Sequence, residues 1–297
     1  MAPEGGRRER KKDMSANALK PIQSVGILYK EHNQGAVSMS KTLVETLRAR
    51  GRTVWTASAR DPEHLDGRLE QTDLVIVLGG DGSIISAARS CAQRAVPILG
   101  VNFGRVGFLT ELEPDEVAEA LPRYLDGDCW IDERSMLRAE LEASGGTISH
   151  IALNDVVVLR GAEPHIIRVK VWIQGFEYGL IAADGVIVST ATGSTAYNLA
   201  AGGPILHPQV RGCVLTPIAP HLVADRSLVL ESGSVITLET QAGSDGALLS
   251  ADGQMNYPLA PGSRVRVTTS EHVTRFLRRR SPTAFYRVLS AKLRDSL

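Results

Sequence analysis

The sequence is short of the residues that several functions require. Its three cysteines, Cys91, Cys129 and Cys213, lie far apart among 297 residues and form neither a CxxC pair nor a Cys/His cluster. That spacing excludes a disulfide scaffold and a site of closely spaced zinc ligands, and it reads as buried structural thiols in a reducing, cytoplasmic compartment. Aromatic residues make up only 5% of the chain, leaving few rings for stacking bases. There is no excess of either charge, 33 basic residues facing 33 acidic ones, so no global field attracts phosphate backbones and no nucleic-acid partner is expected. The longest apolar runs, such as residues 74–78, fall far below the ~18 residues of a spanning helix, so no membrane partner is expected either. No GxxxxGK[ST] occurs, and no GxGxxG follows the first strand, which excludes a P-loop and the dinucleotide fingerprint of a Rossmann domain.

What is present is an ordinary globular composition, 43% hydrophobic and 22% charged. The length gives a prior of about two domains at roughly 150 residues each. Residues 1–20, with the basic run from Arg7 to Lys12, read as a disordered, solvated tail. From Ile22 short apolar runs (residues 25–29, 54–57, 74–78 and 97–101) alternate with helical patterns (37–50 and 84–94), which predicts a parallel α/β domain over 21–127. The unbroken apolar run 74–78 predicts a strand covered on both faces. Beyond it, residues 128–270 carry short β segments, among them 137–141, 151–159, 166–173, 176–182, 185–189, 227–230, 235–238, 248–250 and 265–267. These predict a β-rich second domain. The remainder, 271–297, is basic and ends in a helix with Tyr286, Leu289 and Leu293 on one face, expected to pack back on the first domain.

The strongest local signal is Gly79-Gly80-Asp81-Gly82-Ser83, set where a buried strand gives way to a helix. Glycines there permit a tight turn and close approach of a ligand, while the helix start offers free N–H groups and a positive dipole end to phosphate. Ser83 either caps the helix or binds phosphate. A carboxylate in such a turn repels phosphate unless it has a task, and a general base toward an attacking hydroxyl is one. An Asx-type turn in which Asp81 only organises backbone is the other reading. A second signal runs from Asp184 to Asn198 and closes at Gly202-Gly203-Pro204. Thr192, Gly193, Ser194 and Thr195 supply more hydroxyls than one helix cap needs, and Tyr197 can lie against a ring.

These segments, together with Asn102 to Leu109, Asn154-Asp155-Val156 and Asp252-Gly253-Gln254, occur in the order found in NAD kinases, which this sequence resembles over nearly everything from residue 22 to 293. The glycine turn alone is shared with lipid kinases and phosphofructokinases; the Thr-Gly-Ser-Thr-Ala-Tyr segment is far more specific. The resemblance implies an α/β domain with a Rossmann-like parallel sheet, a β-rich dinucleotide-binding domain, and transfer of phosphate to the 2′-hydroxyl of the adenosine ribose of NAD. The donor would be ATP or polyphosphate, used with Mg²⁺ or Mn²⁺. Asp81 would be the general base, and Gly79, Gly80, Gly82 and Ser83 the phosphate turn. Asp81, Gly82, Asn154, Asp155, His165, Asp184, Thr192, Thr195, Ala196, Tyr197, Asn198, Leu199, Ala200, Ala219 and Gln254 would contact NAD. No dedicated metal ligands are implied, and relatives commonly associate as homodimers or homotetramers. Ala182 and Ser86 stand where some relatives carry arginine. A lipid or sugar kinase sharing the turn, and a non-catalytic NAD(H) sensor, are the alternative readings.

Overall fold

The structure is a computed structural model that describes residues 21–60, 65–143, 146–162, 165–221 and 226–294. The basic N-terminal segment of the sequence lies outside the described residues. Two compact units divide the chain, one formed by residues up to Glu133 together with those from Arg275 onward, the other by residues 134–274.

In the first unit β1 (Ser24–Tyr29), α1 (Gln34–Ala49), β2 (Thr53–Ser58), the short α2 (Asp66–Leu69), β3 (Leu74–Gly79), α3 (Asp81–Gln93) and β4 (Ile98–Asn102) alternate as the apolar rhythm predicts. The strands pair in parallel in the order β2-β1-β3-β4. All six residues of β3 are buried, as its unbroken apolar run requires. Because the chain places β2 on one side of β1 and β3 on the other, the sheet order reverses between β1 and β3. The carboxyl ends of strands at such a reversal form a crevice where α/β proteins bind ligands. A fourth helix, α4 (Val117–Leu125), has Pro122 inside it and buries Val117, Leu121, Tyr124 and Leu125. The proline and the polar residues around it hide this helix from sequence patterning.

The second unit holds β5 (Trp130–Ala143) from Arg134 on, β6 (Gly146–Ala152), β7 (Asp155–Leu159), β8 (Ile167–Ile173), β9 (Phe176–Ala183), β10 (Gly185–Thr190), the single turn α5 (Tyr197–Ala200), β11 (Gly212–Ile218), β12 (Leu228–Glu231), β13 (Ile236–Thr240), β14 (Ala247–Ala251), β15 (Met255–Leu259) and the first part of β16 (Arg264–Arg278). One antiparallel sheet runs β12-β11-β10-β7-β14-β15, and another path runs β16-β13-β8-β9. Inward residues of both, such as Val156, Val158, Val186 and Leu215 against Val169, Val171, Leu238 and Val265, merge in one core. Along β8 Ile167, Val169 and Val171 are buried while Arg168 is exposed, the alternation of a strand with one buried face.

Three expectations change. Residues 151–159 are two strands, interrupted at Leu153 and Asn154. The strand at 265–267 extends to Arg278, and its last residues re-enter the first unit, where Phe276 lies opposite Ile98 of β4. The terminal helix, α6 (Ala284–Arg294), leaves Tyr286 and Leu293 exposed and turns Phe285 and Lys292 toward the protein instead. A three-residue apolar repeat on a basic helix did not identify the packing face, because an aromatic one position earlier had a ring to meet.

Candidate active site

The glycine turn closes β3 at the sheet reversal. Its neighbours are laced together there: the Phe103 N–H donates to Gly79 O at 3.0 Å, and the Lys30 N–H to Leu78 O at 3.1 Å. Asn33 caps α1 by accepting from the Ala36 N–H at 3.0 Å while its amide donates to Phe103 O at 3.2 Å. Gly80 is the N-cap of α3 and Asp81 its first residue, so Ser83 stands in the first turn and is not the cap. Its hydroxyl sits where a side chain on Gly79 would go, only 2.4 Å from an added Cβ, which explains glycine at 79. Gly80 and Gly82 differ. A Cβ on either would meet nothing within 4 Å, and neither has positive φ. Gly80 stands at the N-cap, a place glycine fills readily, whereas Gly82 lies inside the helix, where glycine costs about 1 kcal/mol. For Gly82 a ligand approaching the backbone closely is the remaining physical reason.

Asp81 does not fold back on its own turn. Oδ2 accepts the Phe108 N–H at 2.9 Å and Oδ1 the Leu109 N–H at 3.0 Å, so both oxygens are held by one loop. A Cβ on Gly107 would lie 2.0 Å from Oδ1, so the close seat of the carboxylate requires glycine there. The carboxylate is partly exposed and fixed in orientation, with lone pairs left to accept a further proton.

In the second unit, Asn154, Asp155, Val157, Leu159, Ala196, Tyr197, Ser250, Asp252 and Gly253 line a cavity of about 470 Å³. Asp252, at φ 52°, organises its floor. Its Oδ2 accepts the Leu153 N–H at 2.7 Å, and its Oδ1 the N–H groups of Asn154 at 2.7 Å and Asp155 at 3.1 Å. These bonds take up the N–H groups where the strand breaks at 153–154, while the Asn154 carbonyl still accepts the Thr190 N–H at 2.8 Å. Burial, and then the charge of Asp252, push the Asp155 carboxyl up to about 7.

The hydroxyl-rich segment passes over the same floor. Gly193 packs directly on the Asn154 backbone, where a Cβ would be 2.1 Å from its carbonyl oxygen, and the Gly193 N–H donates to Thr190 Oγ1 at 3.0 Å. Thr192 is buried and accepts from Arg134 Nη1 at 3.3 Å. Thr195 is half-buried, while Ala196, Tyr197 and Ala200 are exposed and Leu199 is partly so. Asn198 is fully buried: its amide donates to Ser194 O and Pro204 O, and its carbonyl accepts from Thr216 Oγ1 at 2.7 Å. Its side chain therefore supports the segment from beneath. Arg134 and Thr216 belong to this support; nothing local in the sequence marks Arg134, and Thr216 opens the segment that carries Ala219 without announcing its bond to Asn198.

Further out, Asp184 pairs with Arg160 at 3.0 Å. Ala219 is exposed at φ 45°, a strained conformation for a residue with a Cβ. Gln254 and His165 are exposed and do not line the cavity. Among the described residues no group of three or more His, Cys, Asp or Glu is arranged to hold a metal ion, and no helix is long and apolar enough to cross a membrane.

A glycine turn opening a helix at a sheet reversal, with an oriented carboxylate as the first helical residue, defines a phosphotransferase built from an α/β unit and a β unit. Family comparison gives the particular kind. Residues 63–129 match the ATP-NAD kinase N-terminal domain and residues 153–279 the ATP-NAD kinase C-terminal domain. An NAD kinase of Citrifermentans bemidjiense is 40% identical over 290 residues, spanning 92% of this chain and 99% of its own. An NAD kinase of Chloroflexus aurantiacus is 41% identical over 279 residues, spanning 93% and 100%. Among solved structures, an NAD kinase from Archaeoglobus fulgidus in complex with ATP superposes with a TM-score of 0.74 at 26% identity, over 92% of this chain and 99% of its own. Yeast NADH kinase complexed with NADH shares the fold, with a TM-score of 0.79 at 24% identity over 91% and 87%. The chain belongs to the NAD kinase family.

Proposed function

We propose that this chain phosphorylates the 2′-hydroxyl of the adenosine ribose of NAD to give NADP, with ATP as donor. The observation that carries the reading is an oriented Asp81 between Gly80 and Gly82, the second a helical glycine that no packing contact requires. Their open backbone and the N-terminus of α3 receive donor phosphates. Asp81 accepts the proton of the ribose hydroxyl as its oxygen attacks the terminal phosphorus, and the nucleoside diphosphate leaves. Holding the carboxylate by two backbone N–H groups spares it reorientation during the transfer. Polyphosphate could occupy the same turn, because backbone N–H groups read phosphate and not the nucleoside.

In the second unit, Asn154, Asp155, Ala196 and Tyr197 on the cavity wall are the groups we assign to NAD. Thr192, Thr195, Leu199 and Ala200 belong to the same segment, with Asn198 holding it from beneath. Asp184, Ala219, His165 and Gln254 complete the assigned contacts at the periphery. Both oxygens of Asp252 are committed to backbone and Asp155 is buried, a donor set unsuited to a resident cation. Mg²⁺ or Mn²⁺ therefore enters as part of the nucleotide substrate, neutralising its phosphate charge. A cytoplasmic homodimer or homotetramer belongs to this reading and is tested by light scattering.

The deciding assay mixes protein, NAD and MgATP and couples NADP to glucose-6-phosphate dehydrogenase. NADP formation that Asp81→Asn abolishes is expected. Phosphorylation of diacylglycerol or sphingosine without NADP, or NAD binding with no turnover, would overturn it.

A further inference from the structure

We infer that the C-terminal helix α6 is a positioning element for Asp81, acting through Phe285 and Lys292 on the loop whose backbone holds the carboxylate. This rests on Asp81 being the base and adds to it what keeps the base in place.

The loop from Phe103 to Thr110 has no helix or strand of its own. Among the described residues it carries the two N–H groups that hold the Asp81 carboxylate, those of Phe108 and Leu109. A carboxylate held by irregular backbone is only as well placed as that backbone, so the anchors of the loop are anchors of the base. On its outer side the half-buried Phe108 ring meets the Phe285 ring at a centroid separation of 5.8 Å and an interplanar angle of 42°. Lys292 Nζ lies 5.2 Å from the centroid of the same Phe108 ring. Residues 285 and 292 are seven apart, two turns along one face of α6, so the helix presents both to one target.

A second grip lies just beyond the donors. Arg278, at the end of β16, donates from Nη1 to Thr110 O at 3.1 Å and pairs with Glu111 at 3.3 Å. Glu111 Oε1 in turn accepts the N–H groups of Arg279 at 2.8 Å and Arg280 at 3.0 Å and the Tyr124 hydroxyl at 3.0 Å. The chain that follows β16 thus holds the loop at Thr110 and Glu111, and α6 holds it at Phe108. No residue of α6 is fully buried, so the helix adds little to the core of its unit.

The full-length chain is tested as Phe285→Ala, Phe285→Tyr, Lys292→Met and the double variant Phe285→Ala/Lys292→Met, beside Asp81→Asn, by steady-state NADP formation and amide hydrogen exchange. The double variant should lose about 10- to 100-fold in kcat, the scale of a reacting group displaced by about 1 Å, with KM for NAD within about twofold. Phe285→Tyr, which keeps the ring, should retain activity. Exchange should quicken at the Phe108 and Leu109 amides while those of β1 and β3 stay protected. Unchanged kcat in the double variant, with Asp81→Asn inactive, would overturn the positioning role and leave the base assigned. Exchange that quickens throughout the unit would overturn it too, showing a general loss of structure. Turnover surviving in Asp81→Asn would remove the base itself, whatever the helix variants do.

Discussion

Asp252 holds the backbone N–H of Asn154 at 2.7 Å, and the same carboxylate takes the N–H groups of Leu153 and Asp155. Two motifs that are nearly 100 residues apart in sequence are thereby one structure: the first presents side chains to the cavity, and the second fixes the backbone they stand on. The left-handed conformation of Asp252 is strain of the order of 1 kcal/mol or more, offset by these charge-assisted bonds.

Replacing Asp252 with Ala should therefore act on binding before chemistry. Three donors lose their acceptor, at a cost of about 2–4 kcal/mol, and Asn154 and Asp155 lose their register. KM for NAD should rise about tenfold or more while the KM for ATP changes little. A proportional rise in both constants in steady-state assays would show that Asp252 does not act through this floor.

Asp155 makes a pH-dependent prediction whose sign can be worked out. Its carboxyl is pushed from 3.8 to about 7 by burial and by Asp252. The folded chain therefore keeps a proton that the unfolded chain releases, and stability falls as pH rises from about 4 through 7. Asp155→Asn carries no such charge, so it should be more stable than the unsubstituted protein at pH 8, by up to about 4 kcal/mol, with the gap closing toward pH 4. Binding moves the other way. The ionised form accepts hydrogen bonds from ribose hydroxyls better, so NAD should bind more tightly as pH rises from 6 to 8 in calorimetric titrations, and the Asn variant should lose that slope.

How much of this was legible in the sequence follows from which interactions are local. The strands of the first unit were, since β3 is buried on both faces and its apolar run says so. The glycine turn was equally plain, because a turn and its helix are contiguous. The partners were not. Nothing around Phe108 announces that its N–H holds Asp81, and Asp252 looks like an ordinary turn acid until its distant backbone donors are seen. The break at Leu153 and Asn154 hides for the same reason, as local propensity continues the strand while Asp252 takes up its N–H groups. Asn198 stands within a ligand motif, and its bonds to Pro204 and Thr216, distant or lacking any pattern, show its side chain also bracing the segment.

Gly107 tests the seat of the base directly. A methyl group there would stand 2.0 Å from Asp81 Oδ1 and 2.5 Å from Cγ, too close for the carboxylate to stay. Gly107→Ala should lower kcat by about 100-fold with a smaller effect on KM for NAD. Gly67→Ala, where a Cβ meets nothing within 4 Å, is the matched control and should behave as the unsubstituted chain. Full activity in Gly107→Ala would mean that the carboxylate works from another position.

Gly82 separates what the fold needs from what the ligand needs. Its helical backbone accepts alanine, and beyond its chain neighbours and its own helix backbone no atom lies within 4 Å of the added Cβ, so Gly82→Ala should stabilise the free chain by about 0.5–1 kcal/mol through the entropy of the unfolded state. The same methyl projects into the space proposed for donor phosphate. KM for ATP should rise at least tenfold even as the melting temperature increases, because a backbone that phosphate must approach closely has been covered. Gain of stability without loss of ATP binding would place the phosphates elsewhere on the unit, and the glycine at 82 would then have no ligand to explain it.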